Sequence, residues 1–413
     1  MSQVASKLAD LIVGGDVHSV YQPIVRLSDR RPVGYEALAR GPSGSSLESP
    51  AALFALAGEE GLTTELDWEC RRAALQGALD AGLRSDEAIF VNLEPATLGT
   101  EPPPQIRPLL EDAVERLNVF VEFTERDLSD RPTELLQQVN RLRSLGIGVA
   151  LDDVGADPRS LALMPFLAPE VIKLDLSLIQ GRLSRDTAEI VHAVNAEVER
   201  GGALLVAEGI ETESHIRRAL ALGAEYGQGW LFGRPGPLPS ERGDGAGPAL
   251  PRREPFASEA TPFEIVAGQR PLRRGAKWLL LELSRSIEAQ TANQGGAAVI
   301  LSTFQSAEYF TPQTAARYSS LAGDAALVGA LGVGLTAEPA PGVRGVSLEE
   351  AEPLRGEWDV TVIAPHFAAA FVARDLGDGG ADMERRFDFA LSYDRDLVVE
   401  AARAMMKRVA AAS

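Results

Sequence analysis

The stretch Val149-Ala150-Leu151-Asp152-Asp153 joins a short apolar run to two adjacent acids. It has the length and composition of a buried β-strand, and a helical pattern lies on either side of it. Apolar runs that end in a carboxylate and alternate with helical stretches are typical of a (β/α) barrel, whose strands present their C-terminal side chains at one mouth. The stretch therefore predicts a barrel strand with acids at a functional site.

Further runs of this kind lie before and after that strand, and each carries an acid, an amide or an amine at or near its end. Because these groups are expected to meet at one mouth, their oxygens would form a site for hard cations. The residues are Glu36, Asn92, Glu122, Lys173, Glu208 and Gln228.

The order of elements supports two unlike domains, as does the length of 413 residues. Residues 18–27 and 32–38 read as adjacent strands joined by a turn, and later strands alternate with helical patterns up to a last predicted strand at 230–232. The predicted fold class is α/β, a modified TIM (β/α) barrel followed by a smaller α+β domain with a mainly antiparallel sheet. The assigned ranges are 1–240 for the barrel, 241–261 for a Gly- and Pro-rich linker and 262–413 for the second domain.

Composition narrows the class of partner. The net charge is −19, with 59 acids against 40 bases, which argues against a nucleic-acid polymer as partner. The single cysteine, Cys70, excludes an internal disulfide framework and a Cys-based zinc cluster. Because we find neither a signal-peptide pattern nor an apolar run long enough to cross a bilayer, we expect no membrane partner and a cytoplasmic location.

The acid set suits hydrolysis of a phosphodiester between two metal ions. Each Mg²⁺ or Mn²⁺ requires hard oxygen ligands, and of two adjacent aspartates one can bridge the ions while the other binds one. Asn92 supplies a neutral oxygen that limits charge repulsion. A buried lysine such as Lys173 can hydrogen-bond the attacking water and offset developing negative charge.

Eight segments that surround these residues carry a family pattern. They are Tyr21-Gln22-Pro23-Ile24-Val25, Tyr35-Glu36-Ala37-Leu38-Ala39-Arg40, Val91-Asn92-Leu93, Val121-Glu122-Phe123-Thr124-Glu125, Leu151-Asp152-Asp153, Ile172-Lys173-Leu174-Asp175, Ala207-Glu208-Gly209-Ile210-Glu211-Thr212 and Gly227-Gln228-Gly229. Together they resemble the motif set of EAL domains over about residues 1–240. The resemblance implies a modified TIM barrel that hydrolyses cyclic di-GMP to the linear dinucleotide pGpG with two Mg²⁺ or Mn²⁺ ions.

The resemblance also implies residue roles, carried over position by position. The implied metal ligands are Glu36, Asn92, Glu122, Asp152, Asp153 and Glu208. The implied catalytic groups are Lys173, beside the reacting water, with Glu36 and Glu208. The implied substrate contacts are Gln22, Leu38, Arg40 and Gln228. Residues expected to support the others without binding metal are Glu125, Asp175 and Glu211, with Asp175 orienting Lys173 or another site group.

One loop departs from the family pattern. Family members commonly read Asp-Asp-Phe-Gly-Thr-Gly-Tyr-Ser-Ser, whereas this chain reads Asp152-Asp153-Val154-Gly155-Ala156-Asp157-Pro158-Arg159-Ser160. Glu94 also stands where a serine is common. The departure supports an alternative, a receptor that binds cyclic di-GMP without hydrolysis, and a third reading makes the barrel a dimerisation scaffold.

Three segments of the second domain carry another family pattern. They are Trp278-Leu279-Leu280-Leu281-Glu282-Leu283-Ser284-Arg285-Ser286-Ile287-Glu288, Trp358-Asp359-Val360-Thr361-Val362-Ile363 and Phe387-Asp388-Phe389-Ala390-Leu391-Ser392-Tyr393-Asp394. With them, residues from about 262 to 405 resemble the DICT domain, a sensory module. The resemblance implies regulation of the barrel by an unknown ligand or protein partner of this domain, and a homodimer is a further possible assembly.

Overall fold

The first domain is a closed eight-stranded barrel in which the strands follow chain order. The computed structural model describes residues 3–124, 131–155, 161, 164–182, 184–240, 250, 252–256, 259–294, 296–378 and 381–409. The barrel strands are β1 His18–Arg26, β2 Pro32–Arg40, β3 Ala88–Asn92, β4 Asn118–Thr124, β5 Gly148–Val154, β6 Val171–Leu174, β7 Leu204–Ala207 and β8 Tyr226–Gln228.

Strand β1 is antiparallel to both of its neighbours, β2 and β8, whereas every later neighbouring pair is parallel. The barrel therefore begins with a hairpin, and the C-terminal ends of the strands after β1 lie at one mouth. The predicted fold, a modified TIM barrel that begins with two adjacent strands, is confirmed.

Helices surround the barrel, and local capping sets several of their ends. Helix α2 begins after Ser49, whose side chain accepts from the Ala52 N–H, and ends at Gly61 with φ 69°. The helices described in this domain are α1 Gln3–Gly14, α2 Pro50–Glu60, α3 Thr63–Asp80, α4 Arg107–Arg116, α5 Pro132–Ser144, α6 Met164–Leu167, α7 Leu176–Gln180, α8 Arg185–Gly201 and α9 Glu213–Ala221.

The last barrel strand is not where the sequence predicts it. Strand β8 ends at Gln228, and residues 230–232 form turns instead of a strand. The Leu231 N–H donates to the Ile210 carbonyl, which draws the chain away from the sheet. Trp230 is 55% exposed, with the Arg234 guanidinium 4.0 Å from its ring centroid. The prediction was wrong because an exposed apolar run was read as a buried strand.

Part of the predicted linker closes the end of the barrel opposite the acid-bearing mouth. Leu250 is buried in a cluster with Phe90 and Phe120, whose rings stack 5.0 Å apart. Arg252 lies over the Phe120 ring at 4.5 Å and donates to the Val119 carbonyl at 2.8 Å. The described part of this segment is therefore packed against the barrel.

The second domain is a seven-stranded sheet between two layers of helices, in the order β12-β11-β10-β13-β14-β15-β9. The pairs β10–β11 and β11–β12 are parallel and the other pairs antiparallel, which confirms a mainly antiparallel sheet. The elements are α10 Pro262–Ala267, β9 Arg273–Ala276, α11 Lys277–Ala289, β10 Val299–Ser306, α12 Pro312–Gly323, β11 Leu327–Val333, β12 Arg344–Ser347, β13 Glu357–Ala364, β14 Phe367–Asp375, β15 Arg386–Ser392 and α13 Arg395–Met406.

The two faces of this sheet have separate cores. Helices α11 and α12 cover one face around Tyr318 and Phe371. Helices α10 and α13 cover the other, and their buried side chains continue into the barrel core, so that Met405 and Phe166 belong to one cluster. The second domain therefore packs on the barrel through α13. Within the described residues, no helix combines the length and apolarity that a membrane crossing requires.

Candidate active site and metal centre

A single buried lysine lies at the centre of the acid-bearing mouth. The Lys173 side chain is fully buried, and its Nζ lies 2.8 Å from Glu208 Oε1 and 2.9 Å from both Glu122 Oε1 and Asp152 Oδ1. Its distance to Glu36 Oε2 is 3.3 Å. Acids delivered by four different strands therefore meet at one ammonium group, as the sequence predicts for the mouth of a barrel.

Strand register explains this convergence. Gln22 pairs with Glu36 across β1 and β2, and Asn92 pairs with Glu122 across β3 and β4, which places these side chains at one level of the barrel. Glu208 directly follows β7, and its N–H donates to the carbonyl of the residue after Lys173 at 3.1 Å. Parallel strands in this register bring their terminal polar groups to the same height.

An irregular backbone lets two consecutive aspartates serve one site. Asp153 has φ 53°, in the left-handed region, and the β5–β6 register shifts between Leu151 and Val154. In a regular strand adjacent side chains point to opposite faces, so this bulge re-aims Asp153. The result is two overlapping acid trios, Glu36–Glu122–Asp152 and Asp152–Asp153–Glu208, each with its ligand atoms within 4.8 Å of one another.

Burial and mutual repulsion shift the pKa values of the acids in the site. Burial, together with repulsion from Glu36 and Asp152, raises the pKa of Glu122 well above its usual range. Burial also raises the pKa of Glu208 to about 8. Although burial alone would raise the pKa of Glu36, the Lys173 ammonium and two amide hydrogen bonds lower it. With all of its acids ionised, the site would hold more negative charge than Lys173 neutralises, and a divalent cation would relieve that repulsion.

Two glutamines and an asparagine hold Glu36 in place. The Gln228 amide donates to Glu36 Oε2 at 2.6 Å and lies 3.1 Å from Gln22 Oε1, while Gln22 donates to the Gly233 carbonyl. Asn92 Nδ2 donates to the other oxygen of Glu36 at 3.4 Å. With both of its oxygens engaged, Glu36 is fixed at the centre of the site.

The donor set fits divalent cations. Glu122 is 1% exposed and its Oε2 has no hydrogen-bond partner among the described residues. The short contacts of Lys173 with Glu122 Oε1 and Asp152 Oδ1 are ion pairs without hydrogen-bond alignment. Buried carboxylate oxygens left unpaired are costly, and hard cations are their usual partners. The two trios, with the Asn92 oxygen beside them, are the residues that could hold such ions.

The other predicted residues lie in varied surroundings. Leu38 lines a cavity beside the acids, whereas Arg40 is half-buried with its Nη1 donating to the Ala39 carbonyl. The Asp175 carboxylate caps α7 by accepting from the Ser177 N–H at 2.9 Å, and among the described residues no hydrogen bond or ion pair joins it to Lys173. Its role in orienting Lys173 or another site group stays a prediction.

The two remaining supporting acids are not brought to the site by any described contact. The Glu211 side chain is exposed, without a side-chain hydrogen bond among the described residues. Glu125 lies outside the described residues.

The structure adds residues that the sequence analysis missed. A cavity of about 380 Å³ runs from Glu36 and Asn92 to α2 and α3, where Phe54, Asp67 and Arg71 line it. Asp67 is 2% exposed, and it accepts from Arg71 Nη2 and from Thr97 Oγ1, both at 2.7 Å. The available signal was the Asp67–Arg71 spacing of four on one helix face, a spacing that usually marks an exposed pair.

Comparisons with known proteins agree with this geometry. The EAL domain family matches residues 5–235, and the family described as a sensory domain in diguanylate cyclases and two-component systems matches residues 266–376. A probable cyclic di-GMP phosphodiesterase, PdeB of Escherichia coli, is 33% identical over 246 residues, covering 57% of this chain and 45% of the relative. The cyclic di-GMP phosphodiesterase RocR of Pseudomonas aeruginosa is 31% identical over 238 residues, covering 56% and 61%.

Among solved structures, Klebsiella pneumoniae BlrP1 in a manganese and cyclic di-GMP complex is similar at 29% identity and a TM-score of 0.47, covering 53% of this chain and 56% of that chain. The chain thus spans less than two thirds of the length of these relatives. The EAL match alone covers more than half of the 413 residues. The chain therefore belongs to the EAL domain family.

Proposed function

We propose that the barrel hydrolyses cyclic di-GMP to linear pGpG with two divalent cations, Mg²⁺ or Mn²⁺. The observation that carries the proposal is the pair of acid trios that share Asp152, because two adjoining sets of oxygen ligands suit a site for two cations. The names of the relatives PdeB and RocR and the cyclic di-GMP in the BlrP1 complex support the choice of substrate.

The chain's own residues have distinct parts in this reaction. Water adds to a phosphorus atom of the cyclic dinucleotide, the bond from phosphorus to one ribose O3′ breaks, and the leaving oxygen takes a proton. When bound, the cations would supply Lewis-acid activation and charge neutralisation. Lys173 keeps its proton, since the surrounding carboxylates raise its pKa although burial alone would lower it, so it can donate to developing negative charge. Gln228 and Asn92 orient Glu36, and the cavity beside Leu38 and Phe54 offers room for a base.

The direct test uses the full chain. We expect purified protein with Mg²⁺ or Mn²⁺ to convert cyclic di-GMP to pGpG, measured by anion-exchange chromatography, and chelation by EDTA to stop the conversion. Glu36→Gln removes a charge shared by Lys173 and one acid trio, so we expect turnover to fall by about 10²-fold or more. Glu59→Gln, at an exposed position of α2, is the matched control. No turnover with either metal would reject the proposal.

A second candidate is a receptor that binds cyclic di-GMP without hydrolysing it. It is motivated by the altered sequence Val154-Gly155-Ala156 directly after the two aspartates. Tight binding of the nucleotide with no product after long incubation, in the presence of either metal, would decide for the receptor.

We also propose that the second domain regulates the barrel through α13. Arg403 on this helix donates to the carbonyls of Pro165 and Phe166 in α6, the latter at 2.9 Å from its Nε. Thr133 of α5 donates to the Met406 carbonyl at 2.8 Å. Among the described elements, helix α6 is the first helix after β5, which carries Asp152 and Asp153. Motion of α13 would therefore reach the segment that leads from the metal ligands.

Arg403→Gln tests this route. The guanidinium also lies 3.9 Å from the Phe256 ring. The substitution therefore removes the contacts of Arg403 with α6 and with the linker segment together. We expect turnover to change by about 2- to 30-fold, the usual range for coupling between sites, and hydrogen exchange at residues 148–155 to accelerate. Arg408→Gln is the control, because Arg408 pairs with Glu352 of its own domain. Unchanged exchange at 148–155 would contradict the route, whether or not the protein turns over nucleotide.

A further inference from the structure

A second cavity, of about 490 Å³, lies in the C-terminal domain between α11 and α12, beside the ends of β10 and β13. This volume is in the range of small-molecule sites. Four aromatic side chains line it, Phe304, Tyr309, Trp358 and Phe387. Two of these rings, Trp358 and Phe387, meet edge to face at 5.8 Å. The cavity thus offers aromatic surfaces against which a flat ring can pack.

A buried hydrogen-bond network fixes the position of an arginine that lines this cavity. Arg317 Nε donates to Glu288 Oε2 at 2.7 Å, and the Glu288 side chain is only 4% exposed. The Tyr318 hydroxyl donates to the other Glu288 oxygen at 2.8 Å and can accept from Ser302 Oγ at 2.6 Å. Because Glu288 uses only Nε, the two terminal nitrogens of Arg317 have no hydrogen-bond acceptor within the described part of the chain, although the guanidinium lies 5.5 Å from the Tyr318 ring. These two nitrogens form a fork that can donate two parallel hydrogen bonds to a carboxylate.

Two side-chain amides also line the cavity that contains this fork. Gln305 and Gln313 line the same cavity, and neither side chain has a hydrogen bond to another described residue. Gln305 also has φ 48°, a conformation that non-glycine residues seldom adopt outside functional or tightly held positions. The register of β10 shifts between Thr303 and Ser306, which re-aims the side chains at this point.

The other cations that line the cavity are already paired. Lys277 donates to both oxygens of Asp382 at 2.7 Å, and Arg385 contacts the same carboxylate at 3.3 Å. Arg285 pairs with Glu282 on its own helix, and Glu308 is exposed to solvent at the rim. The charged group that is both positioned and incompletely used is therefore Arg317.

We propose that this cavity is a binding site for a small aromatic carboxylate. The carboxylate would occupy the open side of the Arg317 fork, assisted by the amides of Gln305 and Gln313. The ring would pack against Phe304 and Tyr309. Recognition then requires both parts of the ligand, since the aromatic surfaces alone do not select charge and the fork alone does not select a ring.

The test measures binding of small probes to the full chain, without nucleotide or metal, by saturation-transfer NMR. The probes are benzoate, salicylate and indole-3-acetate, each beside its neutral amide. We expect at least one acid to bind with a dissociation constant in the millimolar range or lower. We expect its amide to bind at least about tenfold more weakly, because a charge-assisted hydrogen bond to the fork is lost. Arg317→Lys keeps a cation near Glu288 but removes the fork, so we expect about tenfold weaker binding of the acid.

Arg274→Gln is the matched control, because Arg274 forms an exposed ion pair with Asp388 and does not line the cavity. Thermal unfolding of each variant shows whether a loss of binding reflects a loss of folding. Equal binding of an acid and its amide, unchanged binding by a folded Arg317→Lys protein, or no saturation transfer from any of the acids would each overturn the proposal. None of these outcomes depends on whether the barrel turns over cyclic di-GMP.

Discussion

Replacement of Lys173 by methionine is expected to lower turnover of cyclic di-GMP by about 10²–10³-fold, the cost of removing one charged donor from a preorganised site. Methionine retains a long apolar stem but not the ammonium, which contacts Glu36, Glu122, Asp152 and Glu208. The measurement is the rate of pGpG formation with Mn²⁺. Turnover within tenfold of the unaltered protein would show that Lys173 does not act in the reaction.

The same variant separates charge balance from chemistry. In EDTA its four acids have lost their shared cation, so we expect a lower thermal midpoint than that of the unaltered protein. Added Mn²⁺ should restore much of the midpoint but not the turnover, because cations that bind the folded state stabilise it. Arg116→Met, which removes an exposed cation paired with Asp112 on the outside of the barrel, should change neither quantity appreciably.

Replacement of Arg143 by methionine is expected to lower the free energy of unfolding by about 3–5 kcal/mol, because it leaves a buried acid without its partner. Arg143 and Glu170 are both fully buried, with Nε 3.1 Å from Glu170 Oε1. The Arg143 guanidinium also donates to the carbonyls of Leu167 and Ala168. Urea unfolding measures the loss.

Arg116→Met is again a suitable control, since an exposed pair contributes about 1 kcal/mol or less. If Arg143→Met also lowered the free energy of unfolding by only about 1 kcal/mol or less, Glu170 would have found another partner or would be reached by water. Glu170→Gln offers a further check, because it keeps an acceptor for the Val149 N–H and for Arg143 but removes the charge.

The acid-bearing mouth could be predicted from the sequence because, apart from Glu36 in the middle of β2, its acids and its lysine lie within two residues of a strand end. Glu122 and Lys173 occupy such positions, and the parallel register brings them together without further information. What could not be predicted was the conformation of Asp153, since a left-handed residue leaves no mark in an Asp-Asp pair.

Contacts between elements far apart in the chain were beyond a reading of local patterns. Asp67 reads as a surface residue of α3 until tertiary packing buries it beside Thr97. Residues 230–232 read as a strand, whereas the Leu231 N–H donates to the Ile210 carbonyl, which lies in an earlier loop. In both cases the decisive partner comes from another segment of the chain, which a local pattern does not show.

The boundary predicted at residue 240 follows composition, and described residues beyond it pack against the barrel. Gly148 has no side chain, and a Cβ at this position would collide with both Arg252 and the Phe120 ring, so the barrel floor is shaped to receive Arg252. A fragment ending at 240 would lack this stopper and expose the ring beneath it to solvent. We therefore expect a barrel fragment that folds on its own to extend at least through Arg252.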